Sequence, residues 1–324
     1  MGFLKKMSKE LFGVDPETLF EVIEENHSAK GYIQGGLSEL LFKKYMEKKS
    51  YDCIRIKEKP QGGFNAKSSS ARGDFYVKKR DKNISIEDDL EGWFVVECKG
   101  LKSNAEKHLL RNSLSSRTKI YNHLVKKAFK DKNWKEKTYE KGMRTYKAAK
   151  ERWEAQNLGK NFPEFRWDIE TPGADNVDLD GLWSSKDDLK KWIENIPDEM
   201  LKEEAFFRGE GAFSVLFTHA PSNRTSQITK IKQAAPLIAD FNIMCVDTFL
   251  RTKKHEFVFM NSECISHSPS SPEHQYQNYY VDYLISGKKN KLDLRHPWYS
   301  DIEQLIEITK PTPRRLELSQ IDHR

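Results

Sequence analysis

Two stretches, Arg72-Gly73-Asp74-Phe75-Tyr76-Val77 and Trp93-Phe94-Val95-Val96-Glu97-Cys98-Lys99-Gly100, decide how the chain is read. Gly73 to Val77 alternates small or polar with bulky side chains, and Gly92 to Val96 is a nearly unbroken apolar run. Both patterns predict β-strands, joined through the polar residues Lys79 to Asp89. Asp74 then opens the first strand and Glu97-Cys98-Lys99 closes the second. Side chains alternate across a strand, so Glu97 and Lys99 share one face and Cys98 takes the other. A meander brings Asp74 alongside Glu97, so that two carboxylates and an ammonium meet at one sheet edge. The alternative is a solvated cross-strand pair at a strand end, worth ~0.2–1 kcal/mol. The apolar run Trp93 to Val96 speaks against it, because a strand covered on both faces makes an unassisted charge cluster costly.

Such a set suits metal-dependent phosphodiester cleavage. Hard oxygen ligands hold Mg²⁺ with waters left in place, and a lysine orients or activates the attacking water. The pattern resembles the PD-(D/E)xK nuclease superfamily, which includes many type II restriction endonucleases. Here the motif stands as Gly73-Asp74 followed by Glu97-Cys98-Lys99, with Gly73 in place of the nominal proline. It runs from about Gly31 to Gly100, less than a third of the chain.

The resemblance implies an α/β fold with a restriction-endonuclease-like mixed β-sheet core flanked by helices and carrying a helical insertion. It implies Mg²⁺ as cofactor, with Mn²⁺ able to substitute, held by Asp74, Glu97 and the backbone carbonyl of Cys98, while Lys99 assists the water. It also implies an upstream helix with a glutamate. Gly35-Gly36-Leu37-Ser38-Glu39-Leu40-Leu41-Phe42 offers Glu39, as a second acidic ligand or an orienting group. The implied activity is cleavage of double-stranded DNA at a specific sequence, leaving 5′-phosphate and 3′-hydroxyl ends, by a homodimer, since two strands are cut. A structure-specific or repair nuclease of the same fold and a non-catalytic DNA-binding protein are the alternatives.

At 324 residues the chain is long enough for one large or two ordinary domains. Charged residues make up 32% and mean hydropathy is -0.78, which points to a soluble protein. No apolar run approaches the ~18–20 residues of a membrane span. Met1-Gly2-Phe3-Leu4-Lys5-Lys6 lacks a following apolar region and a cleavage site, and Lys6 stands where a myristoylation signal wants Ser or Thr, so a cytoplasmic protein is expected. Cys53, Cys98, Cys245 and Cys264 lie far apart, as reduced core thiols do. The net charge of +6 permits a polyanionic partner.

Asp15-Pro16 begins a helix with Asp15 as N-cap, its stripe being Leu19, Phe20, Val22 and Ile23. A second helix follows Gly35-Gly36, with Glu39 in its first turn near the positive end of the dipole. Tyr51 to Lys57 reads as a strand, and Pro60 to Ser70 as a Gly/Ser loop that either contacts DNA through its backbone amides and Lys67 or is simply a mobile connection. Residues 1–100 and 206–261 are expected to form the core, 101–205 an insertion and 262–324 a C-terminal extension. The insertion is basic and then acidic: residues 101–160 carry 17 basic and 6 acidic side chains, residues 162–210 carry 14 acidic and 6 basic. Arg72, Lys126, Lys127, Lys130 and Arg144 are the further candidates for phosphate contact. The bland reading of the basic helices is a solvated hairpin with its aromatics turned inward. Asp175 to Gly181 lacks the oxygen spacing of a calcium loop. Strand 212–219, helix 226–240 and strand 241–250 predict a crossover unit completing the sheet. Helix 301–308 follows, and Pro311 to Arg315 reads as an extended tail.

Overall fold

A computed structural model describes residues 2–57, 72–81, 83–101, 116–167, 179–202, 213–219, 223–252, 254–276, 278–286 and 291–322. In chain order the strands are β1 (Tyr51–Arg55), β2 (Phe75–Lys79), β3 (Phe94–Gly100), β4 (Phe213–His219), β5 (Asn223–Thr225), β6 (Lys232–Ala234), β7 (Ile243–Asp247), β8 (Phe257–Asn261), β9 (His267–Ser268), β10 (Ser271–Gln275), β11 (Asn278–Ser286) and β12 (Lys291–Leu294). The helices of eight residues or more are α1 (Gly2–Phe12), α2 (Pro16–Glu25), α3 (His27–Lys48), α4 (Arg117–Ala128), α5 (Trp134–Gln156), α6 (Lys186–Glu194) and α7 (Ile302–Thr309).

The fold is mixed α/β around a five-stranded sheet of order β1-β2-β3-β7-β8. Strand β3 pairs parallel with β7, Val96 opposite Ile243, and the remaining pairs are antiparallel. Period-two alternation sorts the side chains. Tyr76, Val95, Met244, Val246, Val258 and Met260 enter one apolar cluster; Phe75, Val77, Val96, Cys98, Ile243, Cys245, Phe257 and Phe259 enter the other. Phe42 and Met46 of α3 and Ile302 and Leu305 of α7 cover the second face. On the first face Val281 of β11 and Leu316 and Ile321 near the C-terminus take that place, so among the described residues helices pack on one face of the sheet.

Three expectations are corrected. Residues 226–240 form no helix, although Ile228, Ile231, Ala235 and Ile238 have helical spacing. Pro236 has no N–H to give, Lys230 sits at φ 61°, and local bonds compete: Glu273 accepts from the N–H groups of Gln227, Ile228 and Thr229. Strand β4 exists but pairs with β11 in a separate three-stranded sheet, so the parallel partner of β7 is β3. Finally, Pro311 to Arg315 is built into the body: Trp93 and Arg314 exchange backbone hydrogen bonds, and Leu316 is buried. Asp15 does cap α2, accepting from the Thr18 N–H at 2.8 Å, yet Phe20 and Val22 stay exposed and α2 buries no residue.

Helices α4 and α6 share a third cluster. Ile120, Leu124 and Ala128 of α4 meet Leu189 and Ile193 of α6 at helical spacing. The acidic segment pairs with a basic helix through Arg117 Nη2 and Asp198 Oδ1 at 2.8 Å. All four cysteines are free, and no helix among the described residues is long and apolar enough to cross a membrane.

Candidate active site

Strand β2 ends its pairing with β3 at Phe75 and Val96, and the chain just before it is held by Asp74 N–H to Val96 O at 2.8 Å. Gly73 lies so close to β3 that a Cβ there would meet Val95 Cγ1 at 2.6 Å and Val96 O at 2.7 Å. Any side chain at this position, proline included, would push the two strands apart, which gives a physical reason for the glycine.

Asp74 thus stands beside the C-terminal end of β3, and its Oδ2 accepts the Cys98 N–H at 2.7 Å. Lys99 Nζ lies 2.5 Å from Glu97 Oε1 and 3.9 Å from Asp74 Oδ2. Cys98 points to the opposite face, into the cluster under α3. A strand residue directs its N–H and C=O to the same side, so the Cys98 carbonyl also turns toward Asp74.

Glu39 completes the group. Arg55 Nη2 holds its Oε2 at 2.7 Å, and the Arg55 guanidinium lies 5.3 Å from the Phe75 ring centroid. Burial raises the Glu39 pKa, the charge of Asp74 adds to this, and Arg55 and Lys99 oppose it. Glu39 is not in a first turn, however. Helix α3 starts at His27 and runs through Gly31, Gly35 and Gly36, so Glu39 sits mid-helix, without help from the dipole. It is aimed by register: Phe42 and Met46 pin the helix to the sheet.

The electrostatics are those of acids crowded around one cation. Burial, then the Asp74 charge, pushes the Glu97 pKa up to about 8, against the pull of Lys99. For Lys99 burial acts downward, but Glu97 and Asp74 outweigh it and hold the ammonium above the ordinary lysine value.

Among the described residues no three His, Cys, Asp or Glu side chains gather closely enough to hold a metal by themselves. The oxygens that this strand end could offer a cation are those of Asp74, Glu97 and the Cys98 carbonyl; two carboxylates are what a magnesium ion takes when water and phosphate complete its shell. Burial first, and then the charge of Asp74, disfavour the ionised form of Glu97 here.

The other residues singled out from sequence lie elsewhere. Arg72, two residues before Asp74, is half-buried in a cavity wall. Lys126 and Lys127 lie in the last turn of α4, exposed and half-buried, and Lys130 Nζ sits 3.2 Å from the Trp134 ring centroid. Arg144 is exposed on α5. Lys67 and the Asp175 to Asp178 stretch fall outside the described residues. Sequence reasoning missed Arg55, whose signal was its place in an alternating strand, and Asp240, whose charge reaches Glu97. It also missed Asp247, at the end of β7, which accepts from Ser38 Oγ at 2.7 Å and meets His255 Nδ1 at 2.7 Å. Comparison with protein-family models, with curated proteins and with solved structures finds no match for this chain.

Proposed function

We propose that the chain is a Mg²⁺-dependent endonuclease that hydrolyses phosphodiester bonds of double-stranded DNA, of the type II restriction kind. The observation that carries this reading is the meeting of Asp74, Glu97, Lys99 and Glu39 at one strand end, from three separate segments. Asp74, Glu97 and the Cys98 carbonyl would hold the ion, which when bound supplies Lewis acidity to the phosphoryl oxygens and to water.

The protein's own groups divide the remaining work. Lys99, 2.5 Å from Glu97 Oε1 and 3.9 Å from Asp74 Oδ2, would orient or activate the attacking water. Glu39, whose orientation is set by Arg55 at 2.7 Å, would serve as a second acidic ligand or as an orienting group. Basic residues on α4 and α5 supply phosphate contacts without sequence information.

A plasmid incubated with Mg²⁺ tests this. Wild type is expected to give discrete fragments, and Lys99→Ala and Asp74→Ala to cut at least about 100-fold more slowly, the scale of a lost catalytic group. Equal cutting by all three defeats the proposal. Cutting confined to branched DNA favours the repair-type enzyme, and salt-sensitive binding without cleavage under any divalent metal favours the non-catalytic binding protein.

A further inference from the structure

A cavity of about 580 Å³ opens where β7 begins. It adjoins the carboxylate group, because its wall includes Arg72, two residues before Asp74, and Asp240, whose charge reaches Glu97. Most of its polar groups are engaged. Asp240 accepts from Arg224 Nε at 3.1 Å and Nη2 at 2.7 Å and from the Leu237 N–H at 2.8 Å. Arg314 donates to the Ala239 carbonyl, Glu273 takes three backbone N–H groups, and the exposed Glu263 accepts from Thr312.

Arg72 is the exception. Its backbone N–H donates to the Asp240 carbonyl at 2.9 Å, but its Nε is buried without a hydrogen-bond partner among the described residues. The guanidinium also faces the like charge of Arg224, and Asp240, the carboxylate that acts on it, is already held by Arg224. A buried donor without an acceptor is costly, and an oxyanion is the partner that guanidinium geometry matches best. Ile228 and Ile238 give the same cavity apolar wall. Its volume lies within the ~300–1,000 Å³ of small-molecule pockets, well above what a phosphate alone needs.

We infer that this cavity holds one nucleotide unit, with its phosphate on the Arg72 guanidinium and its unstacked base against Ile228 and Ile238. The nucleotide comes either from the strand being cut or from the free pool. Only the first source rests on the nuclease reading. An unstacked base beside the carboxylates would let the protein inspect a base edge that the duplex hides.

Calorimetric titration of the full chain in metal-free buffer tests the inference, with inorganic phosphate, deoxynucleoside monophosphates and a short single-stranded oligodeoxynucleotide as probes. The monophosphates are expected to bind more tightly than phosphate. Arg72→Gln should weaken them at least about tenfold, the scale of a lost charge-assisted hydrogen bond. Ile228→Trp should do the same by filling the space; this position is 53% exposed, so the change is compatible with folding. An oligonucleotide that binds more tightly than the monophosphates, with 2-aminopurine emission that rises on wild type and not on Ile228→Trp, identifies the strand as the source. Monophosphates that bind as tightly as the oligonucleotide identify the free nucleotide. No binding by wild type, or binding that neither substitution weakens, overturns the inference. Failure of the nuclease reading is read separately, by equal plasmid cutting in wild type and Asp74→Ala.

Discussion

Burying Glu97 beside Asp74 makes its proton the point at which the site responds to pH. Its pKa rises from 4.5 to about 8 in the fold, so between those values the native chain keeps a proton that the unfolded chain has lost. The stability contributed is complete below the lower value and is lost as pH climbs through the upper one. Lys99 is also raised, from 10.5, so its own loss of stability lies at higher pH, outside this window. Burial also lowers His123 and His267 from 6.5 to about 4, which makes stability rise with pH up to 6.5, so the melting temperature of the metal-free protein is expected to fall only from about 6.5 to about 8, and to fall less in Glu97→Gln. Thermal unfolding followed by circular dichroism checks this, and an equal fall in wild type and Glu97→Gln would show that the Glu97 proton does not carry it. At this scale the sequence was informative. Two strands of opposite pattern placed Glu97 and Lys99 on one face, and that is where they lie. The partnership of Glu39 with Arg55 was not visible, because nothing local links a helix to a strand end 16 residues on.

Elements were legible where their own chemistry dominates. Asp15-Pro16 announces α2; the structure adds Ser116 and Ser185, which cap α4 and α6 by accepting the N–H groups of Lys119 and Asp188. Residues 226–240 carry helical apolar spacing, but Pro236 and the hydroxyl and carboxylate groups that bind the backbone there override it. Tertiary contact also sets the composition of a helix. Gly142 in the middle of α5 lies under Trp167, and a Cβ on it would stand 1.4 Å from Trp167 Cζ3. Alanine is the better helix former by about 1 kcal/mol, but here it must displace the indole. Gly142→Ala is expected to destabilise the protein by about 1–3 kcal/mol and to shift tryptophan emission toward that of a solvated ring. Denaturant unfolding read by fluorescence measures both, and an unchanged or raised midpoint would show that Trp167 does not rest on the glycine.

For the whole molecule, the stretch after α7 closes the structure. Leu316 and Ile321 enter the apolar cluster over the sheet, Tyr76 donates to Gln320 Oε1 at 2.7 Å, and the Asp322 N–H donates to the Arg55 carbonyl at 2.9 Å. Removing residues 311–324 is expected to cost several kcal/mol, since each buried aliphatic side chain contributes about 1.5–3 kcal/mol. It should also loosen Arg55 and with it the orientation of Glu39. A urea midpoint unchanged by the truncation would contradict this arrangement.

What the amino-acid sequence determined by itself is local and periodic: which segments alternate, which begin with a cap, and that two acids and a lysine occupy the ends of neighbouring strands. These follow from short-range sterics and from the two-residue repeat of a strand, which need no knowledge of distant partners. Only the tertiary structure decided that β7 pairs with β3 across some 140 residues, that β4 leaves the central sheet for β11, and that the C-terminal stretch seals one face. Pairing of that kind depends on which apolar faces find each other in space, and a single sequence carries no local mark of it.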